Sequence, residues 1–565
     1  MAARHGGGLR VVAEPVTGDP GDASVPSQAA DAEFLPRAFA VYGDWGRLDR
    51  GVATFDAAAG VVRIADPAAG DAARAIRAMP FERLFAETDA ERLPDLDALR
   101  GLGDALAFRD HDDAHDRETD IPAAYTYFGQ FVFHDITHWK PPLGDGPTAG
   151  LRGAALDLDS VLGFEPAGDP HLAAPLPIGL TARDPRGCAF AADLPRAPCG
   201  RPLIADARND DNLALAQVHV AMTAFANAVR VAVGPRGGAA ALAATHVQAV
   251  ALGDYLPRIL DPDVYRDVIE NGRAIVWPDS GRDTPFLVPL EFVAACGRFG
   301  HAMVKHRYDW NTHHPGAGAP AFWESTHSSN AYPLRMLDWS WVTDWSRLLP
   351  AEDEALADGD GAGDASAVRF PLRAAALASR LADPLKRMPE AALPPGGPGQ
   401  APLSANLATR SLERAQSLRL ASGQAAVRRM NERLVGRGRP TVPLLSRDDI
   451  LAGEGDTARA ILIAEGPGGA RLCDETPMWL YVLKEAEAQQ GGRRLGAFGS
   501  RIVGETLHAA IAAASPSILA RPGLAPGDWR PDPRLRPARP DHYGLRDLVA
   551  FAGLLEPLTA VETIT

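Results

Sequence analysis

Residues 125–140 read YTYFGQFVFHDITHWK, and the rest of the chain is organised around them. Tyr127, Phe128, Phe131, Val132 and Phe133 are large and apolar, the content of a short helix buried on most of its sides. Polar groups interrupt that surface at Gln130, His134 and Asp135. Gln130 and His134 are four apart and share one helix face. Asp135 lies about 100° further round the axis and serves something else. A buried carboxylate needs a metal, a cation or several donors. One helix thus offers a His/Gln pair to one site and a carboxylate to another. Taken alone, the stretch reads equally well as a core helix whose histidine and aspartate are simply hydrogen-bonded.

The chain has 565 residues, 46% of them hydrophobic. That suffices for one large core or for roughly two to four conventional domains. A formal net charge of -15 argues against nucleic acid or an acidic membrane surface as a main partner. Cys188, Cys199, Cys296 and Cys473 are too few for a disulfide framework, and no CxxC pair suggests zinc. The N-terminus, MAARHGGGLRVVAEP, lacks the apolar run of a signal peptide, and no apolar run reaches the length of a membrane span. The expectation is a soluble, cytoplasmic protein, with export by a route without a cleaved signal left open.

Residues 1–75, rich in Gly, Ala, Pro and Asp, read as a flexible N-terminal segment with a hairpin near Val52–Ile64. Helical spacing follows in Phe81–Phe108, Ile121–Trp139, Asp210–Val233 (capped by Asp210 or Asp211), Ala241–Leu260 and Pro289–Tyr308. Further helices are expected at Trp339–Leu349, Ser411–Leu420, Ser422–Val435, Arg447–Leu451, Thr476–Gln490 and Leu495–Ala514. Residues 351–367 and 389–402 are exposed loops by composition. The fold class expected is mainly α: one domain over 76–525 with long loops and few short strands, and a C-terminal extension over 526–565.

Three further stretches bear on His134. In IADARNDDN (204–212), Arg208 stands just before a strong helix; it places a fixed positive charge beside a bound oxygen species, or it pairs Asp210 or Asp211 at the helix entry. In RFGH (298–301), a glycine directly before a histidine costs helix stability. It makes sense where a flat ligand approaches the backbone, though a core histidine beside a tolerated glycine reads as well. In LDLDSVLG (156–163), Asp157, Asp159 and the Ser160 hydroxyl are oxygen donors for a hard cation such as calcium, or the polar side of an edge strand.

FGQFVFHD, LDLDS, ARNDDNLALAQVH, DYLPRIL, RFGH, WVTDW, RSLERAQSLRLASGQ and TPMWLYVLKEAE occur in this order between about Phe81 and Leu519. In these motifs the chain resembles the animal-type haem peroxidases of the peroxidase–cyclooxygenase superfamily, bacterial members in particular. The resemblance implies a helical peroxidase-like domain that binds haem b and calcium. It implies reduction of hydrogen peroxide with oxidation of a small organic donor or a halide, as in a response to oxidative stress. By the same resemblance His134 is the distal acid/base, Gln130 its neighbour and Arg208 the distal arginine. His301 is the proximal iron ligand, with Arg298 and Arg414 near the haem propionates. Asp135, Asp157 and Asp159 match calcium ligands, with Ser160 adjacent and the main-chain oxygens of Gly153 and Ala155 contributing.

Three departures follow. Phe133 stands where mammalian members carry an ester-forming aspartate. Asp211 replaces the glutamate of the second ester position, and Asn212 stands at the sulfonium position of one member. Non-covalent haem is therefore expected. Ser411 replaces the asparagine that accepts a hydrogen bond from the proximal imidazole, a contact that tunes ligand basicity. Arg298 stands where cyclooxygenases and fatty-acid dioxygenases carry a radical-forming tyrosine, which disfavours a fatty-acid dioxygenase. The other alternative is a non-catalytic haem-binding module. His313 and His314 read as exposed loop residues, His219 as a buried or capping histidine, and the tryptophans of 339–345 as packing.

Overall fold

The computed structural model describes residues 81–106, 118–137, 154–163, 174–196, 200, 202–234, 237–278, 286–324, 336–351, 373–388, 404–519 and 529–556. It also gives the strand backbone at 12–14, 53–56, 61–65, 75–77, 79–80, 139–140 and 149–150. The architecture is mainly helical, with few short strands and long connections. The expected hairpin is present: β1 (Ala53–Asp56) pairs antiparallel with β2 (Val61–Ala65), Asp56 opposite Val61. A second antiparallel pair joins β3 (Glu118–Pro122) to β4 (Arg373–Ala375) and delivers the chain into the central helix. The N-terminal segment beyond these strands, Gly153 and His138 lie outside the described residues.

The helices that frame the interior are α1 (Leu96–Ala105), α2 (Ala124–Ile136), α3 (Leu213–Val233), α4 (Ala239–Val250), α5 (Pro262–Asn271), α6 (Leu290–Ala294), α7 (Leu407–Ser417), α8 (Gly423–Gly436), α9 (Met478–Gln490), α10 (Ala497–Ala513) and α11 (Leu545–Phe551). α2 packs on α3, α3 on α4 and α11, α9 on α8 and α10, and α7 on α1. One continuous apolar core runs through them, with a small satellite of Leu194, Ile204, Ala216 and Val220 under the loop before α3. Among the described residues no helix is long and apolar enough to cross a membrane.

Three buried glutamates pin loops to this frame by accepting backbone N–H bonds. Glu291 takes those of Leu84 and Phe85, Glu485 those of Phe498 and Gly499 at the start of α10, and Glu505 those of Ala274, Ile275 and Val276. Each satisfies donors that no neighbouring helix or strand meets.

The structure moves two expected boundaries. The helix expected from Asp210 begins at Leu213, capped by Asn212, whose Oδ1 accepts from Leu215 N at 2.9 Å. Asp210 instead receives the Arg196 guanidinium, and residues 207–210 form a 3₁₀ turn. The helix expected over Pro289–Tyr308 is broken. α6 stops at Ala294, Ala295 turns away at φ -134°, ψ -73°, and Cys296–Met303 continues as a 3₁₀ helix. Gly297 and Gly300 weaken the helical preference there, so the break falls where propensity resists least. After α4 the chain widens into a π turn at Ala251–Tyr255. Pro257 has no N–H to return to Gly253, which loosens the ladder at that point.

Candidate active site

α2 is buried at Ala124–Gly129, Phe131, Val132, Asp135 and Ile136. Gln130, Phe133 and His134 are half-buried. These three are spaced i, i+3, i+4 and form one stripe. An accessible stripe on a helix at the centre of the core means that it faces an internal void. Arg298, His301, Arg410 and Arg414 behave alike, half-buried on elements of the core, whereas Asp211 has an exposed side.

His134 Nδ1 lies 3.0 Å from Asn209 Oδ1, and Asn209 Nδ2 lies 3.0 Å from His219 Nδ1. A carbonyl oxygen only accepts, so this orientation puts the proton on His134 Nδ1 and leaves its Nε2 lone pair free. His219 accepts from the amide. Burial, then the Arg208 charge, push the His134 pKa down to about 3, which keeps the ring neutral at pH 7. Gln130 Oε1 accepts from Asn212 Nδ2 at 3.3 Å, so the α3 cap also fixes Gln130.

Arg208 does not pair Asp210 or Asp211. Its guanidinium binds the buried Asp206 carboxylate, with Nη2 to Oδ2 at 2.6 Å. It also donates to the carbonyls of His134, at 2.8 Å, and Thr137. A cation bound to the last carbonyls of a helix stabilises that terminus. Arg208 thus secures the end of α2 and sets its charge beside His134.

On the other side, Arg298 and His301 are three apart in a 3₁₀ helix, where such residues eclipse. Arg410 and Arg414 are four apart on α7 and share its inner face. These three arginines repel one another. Burial, then Arg414, Arg208 and Arg410, hold the Arg298 pKa well below its ordinary value. Arg414 is pushed down to about 10 by burial and by Arg410. Asp211 faces Arg208 and Arg410, and its own pKa is pushed up to about 7, chiefly by burial. His301 is held well below the imidazole range by burial, Arg298, Arg414 and Arg410. The Arg298 charge acts on both His134 and His301.

Ser411 does not serve His301. Its hydroxyl donates to Leu407 O at 2.9 Å within α7, and His301 Nδ1 is sealed from solvent without a partner among the described residues. A Cβ placed on Gly300 would meet open space. The 3₁₀ segment is thus bare beside the histidine. Phe133 closes the edge of the void, its ring 4.9 Å from that of Phe292 and 5.9 Å from that of Phe299.

Asp135, on the far side of α2, meets the loop that carries Asp157 and Asp159. The three buried carboxylates place oxygens within 4.8 Å of one another. Asp135 accepts from Leu158 N at 3.0 Å, from Ser160 N at 3.1 Å and from the Ser160 hydroxyl. The chain wraps it through a left-handed turn at Leu158, φ 62°. Ala155 is buried in the same loop.

Sequence reasoning passed over Asn209, Asp206 and Arg410. Arg410 had a signal in its i, i+4 spacing to Arg414; Asn209 had none beyond its place in a polar run. His314 is not an exposed loop residue: its ring stacks on Trp341 at 3.6 Å and 9°.

No family profile matches the chain, and no curated protein matches it. Among solved structures it is similar to peroxidase A from Dictyostelium discoideum, at a TM-score of 0.49 and 14% identity over 77% of this chain and 88% of that one. It is similar to the fatty acid alpha-dioxygenase of Oryza sativa, at 0.49 and 14% over 77% and 76%. It is also similar to the fatty acid alpha-dioxygenase of Arabidopsis thaliana, at 0.43 and 13% over 78% and 72%.

Proposed function

We propose that the chain is a haem-dependent peroxidase that reduces hydrogen peroxide and oxidises a small organic donor or a halide. The observation that carries this reading is a set of side chains, His134, His301, Arg298, Arg410 and Arg414, that keep accessible surface although the elements carrying them pack into the core. Buried cations in mutual repulsion call for an anionic ligand. The bare backbone at Gly300 admits a flat one, and a neutral imidazole in the bordering wall is a ligand for its metal. Haem meets all three demands: His301 would hold its iron, and Arg298, Arg410 and Arg414 its carboxylates. Bound there, haem supplies the iron that takes peroxide and the capacity to store two oxidising equivalents.

The residues of this chain handle the proton. His134, neutral and with Nε2 free, would accept a proton from hydrogen peroxide and return it to the leaving oxygen. Asn209 holds the tautomer that makes this possible. Arg208 adds positive charge where the oxygen–oxygen bond separates charge. Gln130, fixed by Asn212, shapes the same face. On the opposite side of α2 we propose a calcium ion between Asp135, Asp157 and Asp159, three buried carboxylates whose repulsion a divalent cation relieves. Chelation should then lower the melting temperature of the wild type but not of Asp135→Asn.

A non-catalytic haem module has one observation in its favour, the unpartnered His301 Nδ1. Reconstitution with haem, addition of hydrogen peroxide and then of a small phenol separates the readings. Peroxide-dependent oxidation of the phenol, lost in His134→Ala with haem still bound, is the expected result. Haem uptake with no peroxide consumption supports the module, and no uptake sinks both.

A further inference from the structure

Tyr127 lies seven residues before His134 on α2. Seven steps of 100° fall 20° short of two full turns, so the two side chains share a face about 10 Å apart along the axis. Tyr127 looks toward the segment after His301. Its hydroxyl donates to Tyr308 Oη at 3.0 Å, and their ring centroids are 6.1 Å apart. Tyr308 Oη also accepts from Lys305 N at 2.8 Å. From there aromatic rings run on to Trp310, and a hydrogen bond to the main chain joins Trp310 to Trp341. Phe322 packs at 5.2 Å from Tyr308 and at 4.7 Å from Trp310, and Trp310 Nε1 donates to Trp341 O at 2.9 Å. Tyr308 and Trp310 are fully buried. Trp341 and Trp339 are half-exposed, Trp341 stacked on His314 and Trp339 edge-on to His313 at 4.7 Å. Packing accounts for rings in a core. It does not account for a hydroxyl pair at the inner end, an indole N–H joined to the next indole's backbone, and two indoles at the surface.

We propose that Tyr127, Tyr308, Trp310 and Trp341 carry oxidising equivalents from the void to the Trp339–Trp341 surface, where aromatic donors too large to enter are oxidised one electron at a time. The proposal rests on the peroxidase reading. One hydrogen peroxide takes two electrons and two protons and leaves as two waters. Two phenolic donors each lose one electron at the surface and one proton to solvent. Trp310 is oxidised from the void and Trp341 by Trp310, and each is reduced by its outer neighbour. Tyr127 and Tyr308 keep their phenolic protons and are not oxidised; their hydrogen-bonded pair bridges the first tunnelling step. Phe322 is not oxidised; it fills the space through which the electron tunnels. Asp338 and Asp344 flank the tryptophans, and the chain carries -15, so the donor is neutral or cationic.

The test uses the haem-loaded full chain, hydrogen peroxide, a small phenol and a phenol-substituted dextran that no interior void admits. The wild type should oxidise both. Rapid freezing after peroxide should show a tryptophan radical, and a spin trap should label Trp339 or Trp341 in the peptide map. Trp339→Phe with Trp341→Phe should remove the adduct and slow the dextran reaction at least about tenfold, leaving the small phenol within about twofold. Tyr308→Phe, which keeps both surface indoles, should also reduce the adduct. Equal rates on dextran for wild type and double variant, or a trap adduct absent from this segment while the small phenol is oxidised, overturns the proposal. Failure to oxidise even the small phenol defeats the peroxidase reading itself.

Discussion

Replacing Asn209 by leucine tests the proton chemistry most directly. The side chains match closely in size, so the change deletes hydrogen bonds rather than volume. Two contacts are lost, Asn209 to His134 and Asn209 to His219, each 3.0 Å. The His134 Nδ1–H would then face an apolar group, a loss of about 1–3 kcal/mol for an unmet buried donor. The His219 contact adds about 1 kcal/mol. The sum, about 2–4 kcal/mol, leaves a chain of this size folded. The catalytic effect comes through the tautomer. Without Oδ1 to hold the Nδ1 proton, it moves to Nε2 in part of the population, and that fraction cannot accept a proton from peroxide. A bias of about 1–2 kcal/mol translates into a roughly 5- to 30-fold slower reaction with peroxide. Stopped-flow absorbance with peroxide in excess measures the rate, and ¹⁵N spectra of labelled histidine read the tautomer without any turnover. Asn209→Asp supplies the opposite change. A carboxylate raises the His134 pKa from about 3 toward the ordinary imidazole range. The base works only when neutral, so activity is present above its pKa and lost as pH falls through it. The aspartate variant should therefore show an acid limb at higher pH than the wild type. A leucine variant that is folded, holds haem and keeps both the wild-type rate and the wild-type ¹⁵N pattern would refute the assignment.

Gly423→Ala should destabilise the chain by about 3 kcal/mol in urea unfolding, because the new Cβ would sit 2.0 Å from Tyr481 Cγ and 2.4 Å from its Cβ. The gain of about 1 kcal/mol in helix propensity is too small to offset an overlap with atoms rooted in the backbone. Arg414→Met should weaken haem retention on a desalting column, since it removes one of the cations set near His301. Unchanged retention would count against the anion site. Glu485 is fully buried and pushed up to about 7 by desolvation. Its folded pKa lies above the unfolded one, so its contribution is fully present below pH 4.5 and is lost as pH rises through about 7. Glu485→Gln does not titrate, and the stability gap between wild type and variant should shift by about 3 kcal/mol across that window, read by urea melts at stepped pH.

Much of this arrangement was legible where local pattern alone decides it. Apolar residues at helical spacing placed α2, the four-residue step put Gln130 and His134 on one face, and the turn to Asp135 sent its carboxylate elsewhere; its meeting with the 157–160 loop was implied only by the family resemblance. The hairpin expected near Val52–Ile64 pairs Ala53–Asp56 with Val61–Ile64. The sequence misled where long-range partners choose among local candidates. Asp210, Asp211 and Asn212 are three adjacent residues able to cap α3, and the structure takes Asn212 because Arg196, fourteen positions upstream, claims Asp210. The break at Ala295 was hidden because LEFVAACGRFGHAM keeps a helical apolar spacing, and glycine propensity alone does not say which of two glycines yields. Asn209 carried no periodic signal, and its role exists only because α2 and the 207–210 turn are brought together. The Trp341–His314 stack joins positions 27 apart through two loops, beyond any window that pattern can read.

The arginine cluster links stability to the ligand. Folding buries Arg298, Arg410 and Arg414 close enough to depress one another, and the Asp211 carboxylate beside them is itself pushed toward neutrality. An apolar core of this size does not need them, and replacing buried ions by hydrophobic groups often stabilises a protein. On the proposed reading, their cost is carried for the anionic ligand they would bind. Folding and binding are then coupled: an anionic ligand that relieves the repulsion stabilises the folded chain by RT ln(1 + [L]/Kd), about 4 kcal/mol at a thousandfold excess over Kd. The same coupling explains why the wall around His301 is built from a 3₁₀ turn and bare glycine backbone rather than a continuous helix. A continuous helix would give the segment better hydrogen bonds. A broken one leaves bare backbone at Gly300 beside His301, where the proposed ligand would return the difference.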